Sequence, residues 1–339
     1  GRKVLMGKHS KDKRDIYYRK AKEEGWRARS AYKLLQIDEQ FGLFEGVVRA
    51  VDLCAAPGSW SQVLSRRLHG SASCPEDVRI VSVDLQEMAP IEGVHLVQGD
   101  ITSQRTVDAV LAIFRAGDEA RLADLVVCDG APDVTGMHDL DEYIQAQLVL
   151  SAISITTQLL RAGGTFVAKI FRGKDSSLLY SQLKIFFPHV CVAKPKSSRN
   201  SSVEAFVVAQ GFSPPEDFSR TMLSNLSLHD YSATLTPLGD EMLIVPFVAC
   251  GDLSGYDADR NYALKPLGEL LEGSGCCPAM VNPIDSAATS NKYIYRESVQ
   301  KPTTPAYRAF LEAQGGSRSR TLDGRFATPV AVAHLDDMS

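Results

Sequence analysis

No stretch of the chain approaches the 18 or so consecutive apolar residues that a membrane-spanning helix requires, and the opening GRKVLMGKHSKDKRD carries charge where a secretory signal has an apolar core. The expectation is a protein of the cytoplasm. Met6-Gly7 resembles a myristoylation start only in part, because Lys11 stands where that pattern takes Ser or Thr. The seven cysteines are odd in number and include no C-x-x-C pair, and the seven histidines form no ligand spacing. That pattern speaks for reduced thiols packed as small apolar side chains and against a metal site. Internal repeats are absent too. What remains is ordinary folded-protein usage: 44% apolar and 23% charged residues, in a chain of 339.

The formal net charge is only −4, but it is unevenly spread. Residues 1–33 hold twelve Lys and Arg against four Asp and Glu, interleaved with Tyr17, Tyr18 and Trp26. A basic block with aromatics among its charges has the composition of a polyanion-binding arm, assigned here to residues 1–25.

After a helical pattern over 26–41, apolar runs rich in β-branched residues recur at 47–53, 79–85, 94–98, 123–128, 164–171, 189–193 and 203–209. Helical patterns separate most of them, at about 59–68, 104–115, 141–161 and 176–187. Strands alternating with helices predict an α/β domain on a mostly parallel sheet, and runs that are continuously apolar predict helices on both of its faces. Beyond residue 211 the alternation stops and Pro and Ser increase. Residues 212–339 therefore read as a C-terminal extension, partly irregular and a possible partner-binding region.

The dinucleotide fingerprint G-x-G-x-x-G is missing from the turn after the first predicted strand, which reads VDLCAAPGSW over 51–60. A nicotinamide-dependent dehydrogenase is disfavoured accordingly. Three acids follow successive strands instead: Asp84, Asp100 and Asp129. Open parallel sheets bind ligands beyond the carboxyl ends of their strands, and an acid after the second strand commonly grips a ribose diol. Carboxylates in that place repel phosphate and attract a cation. A ligand joining adenosine to a sulfonium, S-adenosyl-L-methionine, meets both conditions. The small residues Ala55, Ala56 and Gly58 are expected to let backbone approach it closely.

At this point DLCAAPGSWSQVLSRRL, VDLQEMAPIEGV, GDIT, DLVVCDGAPDVTGMHDLDEYIQAQL, GGTFVAKIFRGKD and KPKSSRNSSVEAFVVAQGF together closely resemble the FtsJ/RrmJ-type RNA 2′-O-ribose methyltransferases, over about residues 8–211. IVPFVACGDLSGYDADRNY, at 244–262, resembles the eukaryotic cytoplasmic branch acting on the tRNA anticodon loop. The resemblance implies a Rossmann-like class I methyltransferase domain over 26–211, with a mostly parallel seven-stranded sheet. It implies a catalytic Lys-Asp-Lys-Glu tetrad at Lys33, Asp129, Lys169 and Glu204. It further implies cofactor contacts from Gly58 and Trp60, from Asp84 to the ribose, Asp100 to the adenine edge and Asp129 near the methionine end. For partners it implies tRNA, with nucleotides 32 and 34 as targets, together with a WD-repeat protein and an armadillo-like protein.

The chemistry supports those residue types independently. A ribose 2′-hydroxyl is a weak acid, so in-line attack on a sulfonium methyl needs a group that orients it and accepts its proton or stabilises its oxygen. Lys169 at a strand end is the candidate. Burial lowers a lysine pKa while neighbouring carboxylates raise it, and the sequence leaves the net sign open. RNA phosphates are assigned to Lys11, Lys13, Arg14, Arg19, Arg27 and Arg29 on the arm side, and to Arg172, Lys194, Lys196 and Arg199 at the cleft rim. His138 is read as having a loop or hydrogen-bonding role rather than acting as a base. An rRNA substrate and a non-catalytic RNA-binding subunit are the competing readings. A base N-methyltransferase is disfavoured because Asp-Gly-Ala-Pro replaces the N/D-P-P-Y-type loop after the fourth strand.

Overall fold

A computed structural model describes residues 15–71, 75–115, 121–132, 137–173, 176–216, 218, 245–260 and 262. Lys11, Lys13, Arg14 and most of the C-terminal extension lie outside the described residues, as does the side chain of His138.

Helix α1 (Ile16–Glu23) starts at Asp15, whose carboxylate accepts hydrogen bonds from the Tyr17 and Tyr18 amides. Helix α2 (Ala31–Phe41) ends where Gly42 takes the left-handed conformation. Then follow β1 (Arg49–Leu53), α3 (Ser59–Ser71), β2 (Arg79–Asp84), β3 (Val94–Gln98), α4 (Gln104–Phe114), β4 (Ala123–Cys128), α5 (His138–Leu159), β5 (Leu160–Phe171), α6 (Ser176–Phe186), β6 (His189–Pro195), β7 (Glu204–Gln210) and β8 (Phe247–Cys250).

The strands form one sheet in the order β3-β2-β1-β4-β5-β7-β6-β8. Neighbours are parallel except around β7, which runs antiparallel to both β5 and β6. Alternating strand residues feed two cores. On one face Val51, Val83, Val126 and Phe166 pack with α4, α5 and α6. On the other, Ala50, Ile80, Val127 and Phe206 pack with Leu34 and Ile37 of α2 and with Trp60 and Leu64 of α3.

The seven predicted strands are all present, and the structure adds an eighth. Phe247–Cys250 falls in the segment read as an irregular extension, and four residues carry too little periodicity to stand out. They become a strand because β6 has an open edge: the Val192 amide donates to Pro246 and the Lys196 amide to Cys250. Strand β5 also begins earlier than expected. Leu160 pairs with Ala123, and a register shift follows before Thr165 pairs with Leu125.

Residues after β8 fold against the N-terminal helix. Tyr17 Oη donates to the Tyr256 carbonyl (2.9 Å) and Arg19 to that of Tyr262 (3.1 Å), while Lys20 Nζ lies 4.7 Å above the Tyr256 ring. Asp15 ties this assembly to the rest of the domain. It is buried, ion-paired with Arg29 and 3.5 Å from Arg199. Asp15→Ala removes both the helix cap and the counter-charge of two arginines, and is expected to lower unfolding free energy by about 2–4 kcal/mol in urea denaturation. A loss within about 0.5 kcal/mol would mean that the pairing is only superficial.

Candidate active site

The strand order reverses direction between β1 and β4, and at such a switch point the loops leave in opposite directions and open a crevice. The 54–58 turn forms one side of it. Cys54 adopts φ 54° and Gly58 φ 102°, and the Gly58 amide closes the turn on the Ala55 carbonyl at 2.7 Å. Asp84 latches this turn to β2, because its Oδ2 accepts from the Ala56 amide and its Oδ1 from the Gln86 amide, both at 2.8 Å. A carboxylate has about four acceptor sites, so capacity remains for a ligand's hydroxyls. Asp100 is exposed at the end of β3, with Oδ1 held by the amide and hydroxyl of Thr102. Leu85, next to Asp84 in the chain, is 68% exposed and offers an apolar surface.

Glycine at 58 is demanded by the protein itself: a Cβ there would lie 2.8 Å from both Arg27 and Ile91, in a backbone conformation side chains rarely adopt. The Trp60 side chain is buried in the core, tilted against Phe206 at 5.6 Å and donating to the Ser30 carbonyl. Its indole seats the N-terminus of α2.

Opposite the turn, the four tetrad candidates converge from β4, β5, β7 and α2. Lys33 Nζ lies 2.7 Å and 2.8 Å from the two oxygens of Glu204, and Lys169 Nζ lies 3.1 Å from Asp129 Oδ1. Each element has a reason to deliver its residue. Lys33 sits on α2 amid Leu34 and Ile37, and the register of β5 on β7 sets Phe171 opposite Glu204, two residues from Lys169. Ser198 Oγ donates to Glu204 Oε1 at 2.8 Å and orients the carboxylate. Burial works against charge on Lys169, but Asp129 and Glu204 outweigh it and hold the lysine pKa above its usual value. Glu204 is also disfavoured by burial, yet Lys33 and Lys169 hold it below the usual carboxylate range. The open sign is thereby decided: Lys169 is an ammonium in this arrangement.

The proposed RNA cations divide. Arg27 donates to the carbonyls of Pro57 and Pro90, Arg29 to that of Ser197, and Lys194 to those of Ser202 and Glu204. Lys196 lies 3.8 Å from Asp257. These side chains brace the loops that flank the cleft. Arg172 is exposed, with its guanidinium 5.2 Å from the Phe247 ring.

Sequence reading passed over Asp52, although an acid inside the apolar run VVRAVDL was a visible signal. It is fully buried at the end of β1, accepts from Ser61 Oγ at 2.6 Å, and its Oδ1 has no donor among the described residues. Burial first, then the nearby Asp129 and Asp84 charges, push its pKa up to about 8.

An adenosine diol and a sulfonium fit these residues: spare acceptors on Asp84 and Asp100, the exposed Leu85 that follows Asp84, and Asp129 beside the switch point. Residues 26–212 match the model of the FtsJ-like methyltransferases. The chain belongs to that family, and its methyl donor is S-adenosylmethionine. It is 55% identical over 303 residues to the tRNA (cytidine(32)/guanosine(34)-2′-O)-methyltransferase of Mus musculus, spanning 89% of this chain and 85% of that one. It is 38% identical to the AdoMet-dependent rRNA methyltransferase spb1 of Neurospora crassa, over 86% of this chain but 33% of that one. Among solved structures, a Plasmodium falciparum protein named as a ribosomal RNA methyltransferase superposes with a TM-score of 0.48 at 26% identity, covering 56% of this chain and all of that one.

Because the folded-state pKa of Asp52 is raised, the native state binds a proton that the unfolded state has released, and stability falls as pH climbs from about 4 to about 8. Asp52→Asn removes that dependence. Its thermal midpoint is expected to exceed the wild-type value at pH 9 and to approach it at pH 5, as read by scanning calorimetry. Parallel curves for the two proteins would contradict a protonated Asp52.

Proposed function

We propose that the chain methylates ribose 2′-hydroxyls in the tRNA anticodon loop, at nucleotides 32 and/or 34, as the names of its most similar relatives describe for those proteins. The observation carrying this reading is the meeting of Lys33, Asp129, Lys169 and Glu204 beside the acid-lined crevice. S-adenosylmethionine supplies an electrophilic methyl when bound. The protein's own residues do the rest. Asp84 and Asp100 take the nucleoside end of the donor, and Asp129 lies at the methyl end. Lys169 donates a hydrogen bond to the 2′-oxygen, directs it in line and stabilises the negative charge that grows on it as the hydroxyl proton passes to water. Glu204 and Asp129 keep that ammonium charged and aimed, and Lys33 keeps Glu204 ionised. The cations assigned to phosphates are Lys11, Lys13, Arg14, Arg19, Arg27 and Arg29 on the arm side and Arg172, Lys194, Lys196 and Arg199 at the cleft rim. Cytoplasmic action, and partnership with a WD-repeat protein and an armadillo-like protein, rest on the family resemblance. An rRNA substrate is less well supported, since the Neurospora relative shares a third of its length with this chain.

Mapping 2′-O-methylation on total tRNA after incubation with the protein, with and without a co-purified partner, tests the reading. New methyl groups on anticodon-loop riboses are expected, and methylation confined to rRNA would overturn it. Lys169→Ala is expected to lower kcat by about 10²–10³-fold while leaving cofactor affinity unchanged. The pH profile separates the two roles for Lys169. Its raised pKa means that the ammonium is fully present below the ordinary lysine range and is lost only above it. The rate is therefore expected to stay level up to about pH 10. A rate that climbs with deprotonation of Lys169 would make it a base instead.

A further inference from the structure

Beyond the end of β5, between the first turns of α5 and α6, lies a cavity of about 180 Å³. Its deepest polar residue is Gln145, 2% exposed. Gln145 Nε2 donates to the carbonyls of Lys169 (2.8 Å) and Gly130 (3.1 Å), which fixes the side chain across the ends of β4 and β5. Gln145 Oε1 is buried and has no donor among the described residues. A buried amide oxygen without a donor is costly, and Gln145 is one of the residues that line the cavity. Asp139 and Glu142 add two carboxylates to the wall, the latter filling the space that a side chain at Gly173 would need. Tyr143 stands at the mouth, 59% exposed, and none of the described lining residues is basic.

A wall of acceptors without a cation repels phosphate and takes N–H donors. An exposed aromatic ring at the mouth takes a flat π face. Splayed-out RNA bases present both, and single-stranded RNA is commonly recognised by stacking on aromatic side chains with hydrogen bonds to base edges. We infer that this cavity receives the base of the nucleotide whose ribose is methylated, stacked on Tyr143, with its N–H groups directed to the carboxylates of Asp139 and Glu142. The inference rests on the reading of the chain as a ribose methyltransferase. The N4 amino group of cytosine and the N1–H and N2 amino groups of guanine supply the donors. Because Gln145 is bonded to the Lys169 backbone, the base subsite and the reacting strand move as one body.

The test is a cycle between protein and RNA. An anticodon stem–loop is made in two forms, one intact and one lacking only the base at the target nucleotide while keeping its 2′-hydroxyl. Equilibrium affinity and methyl incorporation are measured for wild type, Tyr143→Ala and Tyr143→Phe, with any co-purified partner present. Wild type is expected to bind the abasic RNA about tenfold more weakly than the intact one. Tyr143→Ala is expected to bind the intact RNA about tenfold more weakly and to have lost the distinction, while Tyr143→Phe, which keeps the ring, behaves as wild type. S-adenosylmethionine affinity stays constant throughout, and since Tyr143 is exposed its truncation leaves the core intact. Wild type binding both RNAs alike, or Tyr143→Ala keeping the full distinction, overturns the base pocket. Discrimination in binding without methyl on the ribose sinks the methyltransferase reading and leaves the pocket standing.

Discussion

Two lysines and two carboxylates are held together at the end of a sheet, beside the acid-lined crevice. Each is partly or largely buried, so each is costly alone, and the cluster is tolerable because its charges alternate and sum to zero. Glu204 is the hinge of the arrangement: it takes Lys33 on both oxygens, accepts from Ser198, and adds to the field that keeps Lys169 protonated. Removing any one member leaves a charge that its surroundings are not built to hold.

The sheet makes that cluster possible. Strands β1 to β4 run parallel and release their loops at one edge, where Asp84, Asp100 and Asp129 stand. Antiparallel β7 enters between β5 and β6 and starts at that same edge, so that Glu204 begins beside the place where Lys169 and Phe171 end. Helix α2 brings Lys33 from one face, and Gln145 on α5 secures the ends of β4 and β5 from the other.

Basic residues near the cleft are not one population. Several that read as phosphate ligands donate to carbonyls of the very loops that shape the site, and Asp15 gathers Arg29 and Arg199 into a buried node. The residues following β8 complete this brace by capturing Tyr17 and Arg19, so that α1 has a defined seat. A cation close to a polyanion site serves the fold whenever an unsatisfied carbonyl is nearer than solvent.

Periodicity and local motifs determined most of the architecture directly from the chain. The seven main strands, the helices between them and the acids at three strand ends are legible because each depends on local pattern or on the strand-end rule for α/β sheets, whereas the four tetrad residues are named from the family resemblance alone. Tertiary structure decided the rest. Strand β8 exists only because β6 has an edge to fill, and the roles of Arg27, Arg29 and Lys194 depend on which carbonyls lie within reach. The charge of Lys169 turns on whether burial or two carboxylates dominate, which is a matter of ångströms between β4, β5 and β7. Asp52 and Gln145 gained their significance from burial, and burial is a property of the packed chain rather than of any stretch of it.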